Sequence, residues 1–385
     1  MLSFRRAAGT PRRGRRSHDR DIPWRRRLPW LLLLVVGLAL RFAAPRVAVV
    51  RDAYAGTLYP LLSRGLGVLT GWVPFSLAEV VVLAFVLGLA ISAYRGLRRV
   101  GLGQRRLRNV AACAAVNALA LAGLGYGGAM VLWGVNYHRT PLADELGYDV
   151  APAAADELRA LVAELVEATN ATRGEVLEDG GVMRLPDTPT HALARAPRGF
   201  ERAAQTYEPL TRGYAGPAKR SFLFSTALSY LGLSGIFVPY TAEPTVNGLL
   251  PDSALPFTAC HEIAHQMGYA REDEASFVGF LACTRHPDPD YRYSGYLSAT
   301  RYALGALRQA DPQEQRNLLA RLRPEVQRDL ALLQAFWARY ESRASAAGAR
   351  VNDLYLKAQG QTTGTASYDA VVDLLAAHRR ATRNR

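Results

Sequence analysis

The chain has 385 residues, 49% of them apolar and 21% charged, with three cysteines. That length supports a sizeable core in one to three domains. The charge and apolar content exclude a disordered chain, and three cysteines without a CxxC spacing exclude a disulfide-framed scaffold or a zinc ribbon.

The formal net charge of +14 is unevenly placed. Residues 1–108 hold 20 arginines and 4 acidic residues, whereas residues 109–385 hold 27 Lys and Arg against 29 Asp and Glu. A nucleic-acid binder carries its cations on the folded, ligand-facing domain, so no nucleic-acid partner is expected. Cations that flank the most apolar stretches point instead to membrane topology.

Three stretches are predicted to cross the bilayer, at about 28–44, 77–94 and 110–133, near the roughly 20 helical residues a crossing takes. The first contains Leu31-Leu32-Leu33-Leu34-Val35-Val36, with Arg41 near its far end where a long side chain can snorkel. It is short enough to read alternatively as a cleaved signal peptide, with the same final topology for the rest. The third is rich in Ala and Gly, which suits close helix packing in lipid. Between the first and second, Val47 to Trp72 is amphipathic and is expected to lie along the membrane–water interface. Ten arginines precede the first span and six crowd the link between the second and third. The positive-inside bias therefore puts the 1–27 tail and that link in the cytoplasm, and everything after the 28–134 membrane region outside it.

Residues 135–385 read as one mainly helical domain with a small sheet at most. Pro152 to Thr169 places Leu158, Leu161, Val162, Leu165 and Val166 at helical spacing. Residues 173–198 read as a loop, and Gly199 to Thr211 as a helix. Gly235 to Tyr240 is the best strand candidate, confined to an edge or an end by Pro239. Leu297 to Gln309, Pro324 to Ser345 and Tyr368 to His378 read as further helices.

The chemistry concentrates after Pro256, an early helical residue behind the capping candidates Asp252 and Ser253. His261 and His265 are i and i+4 on one helical face, a spacing at which two imidazoles reach one zinc ion. Glu262 between them is positioned as general base for a water that zinc activates. This is the H-E-x-x-H arrangement of zinc metallopeptidases. A third ligand is needed. Gly268 can end the helix and a second helix can start near Arg271 and run back antiparallel. By rise per residue Glu274 comes level with the histidine pair, while Glu272 sits nearer the turn. Glu274 also shares a face with Phe277, Val278 and Leu281.

Glu-Asp-Glu-Ala-Ser at 272–276 resembles the Glu-x-x-Ala-Asp pattern on the glutamate helix of gluzincin peptidases. The resemblance implies Glu272 as the zinc ligand, with Ser276 in the place of the Asp that orients a ligand histidine. Two departures stand: serine replaces the carboxylate, and the gap from His265 is shorter than gluzincins usually have. Both glutamates stay open as ligand. Secondary candidates are Tyr291, Tyr293 and Tyr296 as oxyanion donors and His286 as a spare ligand. Glu243 and Asn247 could belong to a substrate-pairing edge strand or shape a turn. Cys260 and Cys283 could form a bridge, with two buried free thiols as the default.

The layout resembles a bacterial membrane family known as domain of unknown function thirty-eight-ten. The matching stretches include Trp133-Gly-Val-Asn-Tyr-His-Arg139, Val238-Pro-Tyr-Thr-Ala-Glu-Pro-Thr-Val-Asn247, the His-Glu-Ile-Ala-His-Gln core, Tyr291-Arg-Tyr-Ser-Gly-Tyr296 and Asn352-Asp-Leu-Tyr-Leu-Lys357. The resemblance implies a zincin-like protein anchored in the bacterial plasma membrane.

The expected function is a multi-pass, membrane-anchored zinc metallohydrolase, a peptidase acting on envelope proteins or peptides, with the bilayer as its other partner. The competing readings are a non-catalytic envelope scaffold that keeps a zincin fold, and a zinc amidase acting on a non-peptide envelope substrate.

Overall fold

Apolar runs without breakers must satisfy their backbone hydrogen bonds internally in lipid, which only helices achieve within one segment. The computed structural model, which describes residues 24–101, 107–358 and 370–383, forms them as helices. Leu77–Arg98 and Ala111–Leu132 are each long and apolar enough to cross a membrane. The expected first span falls short by itself. Its helix, Trp24–Ala43, carries arginines in its opening turns and bends by 117° into the helical stretch Ala48–Gly71, so the two count as a third crossing only if taken as one bent pair. Residues 1–23 of the arginine-rich tail and 102–106 of the basic link lie outside the described residues.

Glycines decide how the first and last of these helices meet. A Cβ at Gly123 would stand 1.8 Å from the Trp30 carbonyl oxygen, and one at Gly127 would stand 2.3 Å from that of Leu33. Only residues without a side chain allow this approach, the small-xxx-small packing that the Ala/Gly-rich stretch predicts.

The remaining chain is mainly helical with two small sheets. The predicted helix at 152–169 runs Ala155–Arg173, and all five of its predicted apolar residues are buried. It packs along the helix Pro289–Ala310, which begins eight residues before the predicted Leu297. The predicted loop at 173–198 contains more structure than its Pro and Gly content suggests. There, β1 (Glu178–Asp179) and β2 (Val182–Met183) form a hairpin, and Pro189–Arg195 is a short helix whose Thr188 cap accepts from the His191 N–H. Gly199 to Thr211 is divided into a helix, Pro197–Ala204, and a separate 3₁₀ turn, Glu208–Thr211. Pro324 to Ser345 also divides, into Pro324–Ala338 and Arg343–Ala358. The last helix is Ala370–Arg383, and Tyr368 of its predicted start lies outside the described residues.

The three-stranded sheet has the order β3 (Lys219–Ser221), β5 (Glu243–Asn247), β4 (Gly235–Val238). β4 is an edge strand, as Pro239 requires, and β5 lies at the centre. The expectation that Glu243 and Asn247 sit on a substrate-pairing edge therefore fails. Glu243 instead caps an apolar helix: its carboxylate accepts from the N–H groups of Leu77 (3.2 Å) and Ala78 (2.7 Å), two of the orphan donors at that helix start. Lys219 pairs with Glu243 and also donates to the carbonyls of Thr70 and Phe75. Asn247 donates to Ser229 Oγ at 2.9 Å. The sheet thus grips the segment where the chain turns from the helical stretch Ala48–Gly71 into the apolar helix Leu77–Gly101.

Candidate metal centre

The helix Leu255–Gln266 presents the motif, with Pro256 at its start as predicted. Its cap differs from the prediction. Asp252 accepts from the Leu185 N–H, whereas Ser294, from the neighbouring helix Pro289–Ala310, accepts from Phe257 N–H and donates to the Ser253 carbonyl. Gly268, at φ +95°, ends the helix in the left-handed conformation that glycine favours.

The other end of the motif helix is held by the membrane-side segments. Its orphan carbonyls at His265 and Gln266 accept from the Trp133 indole N–H (3.1 Å), the Tyr59 hydroxyl (3.2 and 2.9 Å) and the Ser63 hydroxyl (2.7 Å). The helical stretch Ala48–Gly71 therefore packs Tyr59 and Ser63 onto the end of the motif helix. Nothing in the sequence ties Tyr59, Ser63 or Trp133 to the motif: Trp133 opens a family-matching stretch and Tyr59 and Ser63 lie in the amphipathic segment, with no sign of the carbonyls they meet.

The second helix, Glu272–Arg285, returns across the first at close range. A Cβ at Gly279 would stand 3.2 Å from the His261 nitrogen, so the predicted small residue does let the two helices meet. Glu272 Oε2 lies 3.2 Å from His261 Nε2 and 3.7 Å from His265 Nε2, and the three candidate ligand atoms fall within 4.8 Å of one another. The two imidazoles stand edge to face with centroids 4.7 Å apart.

Glu274 points elsewhere. It accepts from the Leu142 N–H at 2.8 Å and lies among Asp273, Arg271 and Arg139. The helix-rise argument that favoured Glu274 fails because it considers height and not azimuth. Two residues turn the helix by about 200°, while the height they differ by is only about 3 Å, which a glutamate side chain spans. This helix is also buried on nearly all sides, so an inward-facing residue has more than one interior to face.

Both histidines are fixed from behind. His265 Nδ1 lies 2.7 Å from the Tyr269 carbonyl oxygen, which only accepts. Nδ1 therefore carries a proton, and Nε2 is the ring nitrogen that faces Glu272. His261 Nδ1 meets Ser276 Oγ at 3.2 Å. Such outer partners set ring orientation and basicity at metal sites.

Electrostatics follow from burial. Burial raises the Glu262 pKa to about 7, with Glu272 adding to the rise and the two histidines opposing it. Burial disfavours the charged His265, but Glu272, Glu262 and the Tyr269 carbonyl outweigh it and raise its pKa to about 9. Burial likewise disfavours the Glu272 carboxylate, and His265 and His261 overcome that and hold it well below the usual carboxylate range.

His261, Glu262, His265 and Glu272 line a cleft of about 1050 Å³ whose walls include Trp133, Ile236, Phe237 and Trp337. The β4 backbone lies against the motif: a Cβ on Gly235 would stand 2.6 Å from Glu262 Oε1. The secondary candidates fall away from this cleft. Tyr291 donates to the Ala192 carbonyl, Tyr293 to Asp329, and Tyr296 packs on Phe280. His286 is buried rather than solvent-exposed, stacked on Tyr291 and bonded to the Arg195 carbonyl. Cys260 and Cys283 are buried free thiols, and no disulfide joins them.

Fold and site together define a mainly helical chain, with helices apolar enough to span a membrane, that gathers two histidines and a glutamate from two adjacent helices, Leu255–Gln266 and Glu272–Arg285. No curated protein and no solved structure matches the chain. It belongs to the family described as protein of unknown function (DUF3810), whose family model matches residues 54–376, from the helix under the motif to the last helix.

Proposed function

We propose that the chain is a membrane-anchored zinc-dependent hydrolase, a peptidase in kind, with its site outside the cytoplasm. The observation that carries this reading is the convergence of His261, His265 and Glu272 beside a further carboxylate, Glu262, on one cleft wall. Three protein donors with a side open to a cleft are what a hydrolytic zinc site needs, since the fourth position serves water or substrate. The donor set fits: two imidazole Nε2 atoms whose Nδ1 sides have outer partners, and one carboxylate, form a nitrogen–oxygen set suited to zinc. Zinc there would supply Lewis acidity toward water and toward the scissile carbonyl.

The rest falls to side chains and backbone of this chain. Glu262, with a pKa near neutrality, suits a group that accepts a proton from the attacking water and returns it to the leaving nitrogen. The free edge of β4 suits pairing with an extended backbone, and Gly235 brings that edge against Glu262. Arginines before the first apolar helix and in the 95–108 link support the extracytoplasmic orientation.

The test is zinc content and hydrolysis of the purified full chain. One zinc per chain is expected. Glu262→Gln should keep that zinc and lose activity by on the order of 10²–10⁴-fold. A zinc-free active protein, or full activity in Glu262→Gln, would sink the reading. Full complementation of a deletion phenotype by Glu262→Gln would leave the envelope scaffold in its place.

A further inference from the structure

The candidate site stands where the chain leaves its apolar helices. Trp133 directly follows the helix that ends at Leu132, and its indole N–H reaches the carbonyl of the candidate ligand His265 at 3.1 Å. Its ring also lies edge-on to the His265 imidazole, with centroids 5.8 Å apart, and against Phe237 of β4 at 5.7 Å. A second apolar helix meets the same sheet. Glu79, in the first turn of Leu77–Gly101, accepts from the backbone N–H groups of Phe222, Leu223 and Phe224. Neither junction has a flexible tether. The ends of two candidate spans are hydrogen-bonded into the body that carries the cleft.

The surface around these junctions is apolar and uncovered. Trp72 is 85% exposed, Leu69 72%, Leu223 60% and Phe222 56%. Clustered large apolar side chains of this kind mark an interaction surface in a water-soluble setting. Here connectivity says what covers them: they flank the first turn of a helix apolar enough to span, at the depth where Trp and Phe sit among lipid headgroups. Trp133 directly follows the end of a span at Leu132 and its ring centroid stands 5.8 Å from that of His265, so the site lies within reach of about six extended residues at ~3.4 Å each.

We propose that the substrate is a polypeptide anchored in the same bilayer, cut within the first few residues beyond its own span. This rests on the hydrolase reading above and adds the substrate class to it. A segment emerging from the bilayer reaches the cleft almost at once, and the apolar walls at Ile236, Phe237 and Trp337 suit the apolar residues that end a span.

The experiment uses the full chain with zinc in liposomes. One probe is a single-span peptide carrying a randomised outer stalk of about twenty residues. The other is the same randomised stalk without the span, and cut positions are read by mass spectrometry. Sharing a membrane raises the rate for any tethered enzyme, so position rather than rate is diagnostic. We expect Glu262-dependent cuts confined to about the first six stalk residues, the reach set by ~3.4 Å per residue. Cuts spread evenly along the anchored stalk, or concentrated in its outer half, would overturn this inference and leave the hydrolase reading intact. So would cutting of the free stalk alone. Absence of Glu262-dependent cuts in both probes would overturn both.

Discussion

Replacing Gly235 with alanine should disable Glu262 without touching the histidines. The added Cβ would stand 2.6 Å from Glu262 Oε1, 2.7 Å from Cγ and 2.8 Å from Cδ. Carbon contacts relax near ~3.5 Å, so one side must give by about 0.8 Å. β4 is held along its length by its register with β5, whereas Glu262 Oε2 makes no hydrogen bond, so the carboxylate yields. Misplacing a reacting group by about 1 Å costs on the order of 10²-fold, and we expect that loss in the rate on the anchored peptide pool. The visible spectrum of the cobalt-substituted protein should stay as in wild type, because the three candidate ligands do not move. In a Glu262→Gln background the same substitution should add less than about twofold, since the group it displaces no longer acts. A rate within about threefold of wild type refutes the reasoning. So does a comparable further loss in the Glu262→Gln background.

The choice between the two glutamates is read by metal analysis. Glu272→Ala should lose stoichiometric zinc, while Glu274→Gln, whose carbonyl still accepts from Leu142 N–H, should keep it; equal zinc contents would contradict the geometry. Asp329 holds the buried Arg173 guanidinium at 2.9 Å and also accepts from Met183 N–H and the Tyr293 hydroxyl. Both side chains of this pair are at most 3% exposed, so Asp329→Ala leaves Arg173 with only the exposed Glu178 at 3.3 Å, orphans the other two donors, and should lower unfolding free energy by about 3 kcal/mol in denaturant titration. Burial, with a smaller contribution from Arg285, lowers the His378 pKa from 6.5 to about 4, so as pH falls the unfolded chain binds this proton first. Its contribution is complete above pH 6.5 and fades toward pH 4, by up to about 3 kcal/mol at ~1.36 per unit. Thermal melts of His378→Gln should show a correspondingly flatter acid limb, and an unchanged limb would count against the assignment.

Local chemistry was legible along the chain. Three apolar stretches, a 3.6-residue period and a Gly after an H-E-x-x-H run are properties of neighbouring residues, and they identify helices, the motif face and its left-handed stop. Pro239 confined β4 to an edge for an equally local reason, the missing N–H. The candidate ligand histidines and Glu262 needed nothing beyond their own spacing.

What tertiary structure alone decided is direction. Glu272 and Glu274 differ by two positions, and which one meets the imidazoles depends on the azimuth of a helix buried on almost every side. Glu243 could have served a substrate or a helix start, and the orphan N–H groups of Leu77 and Ala78 claimed it. Tyr59, Ser63 and Trp133 lie 132 or more positions from the carbonyls they satisfy, so no window along the chain contains both partners. Helix periodicity depends on local backbone geometry, whereas the donors that close a helix end are whichever groups packing brings there.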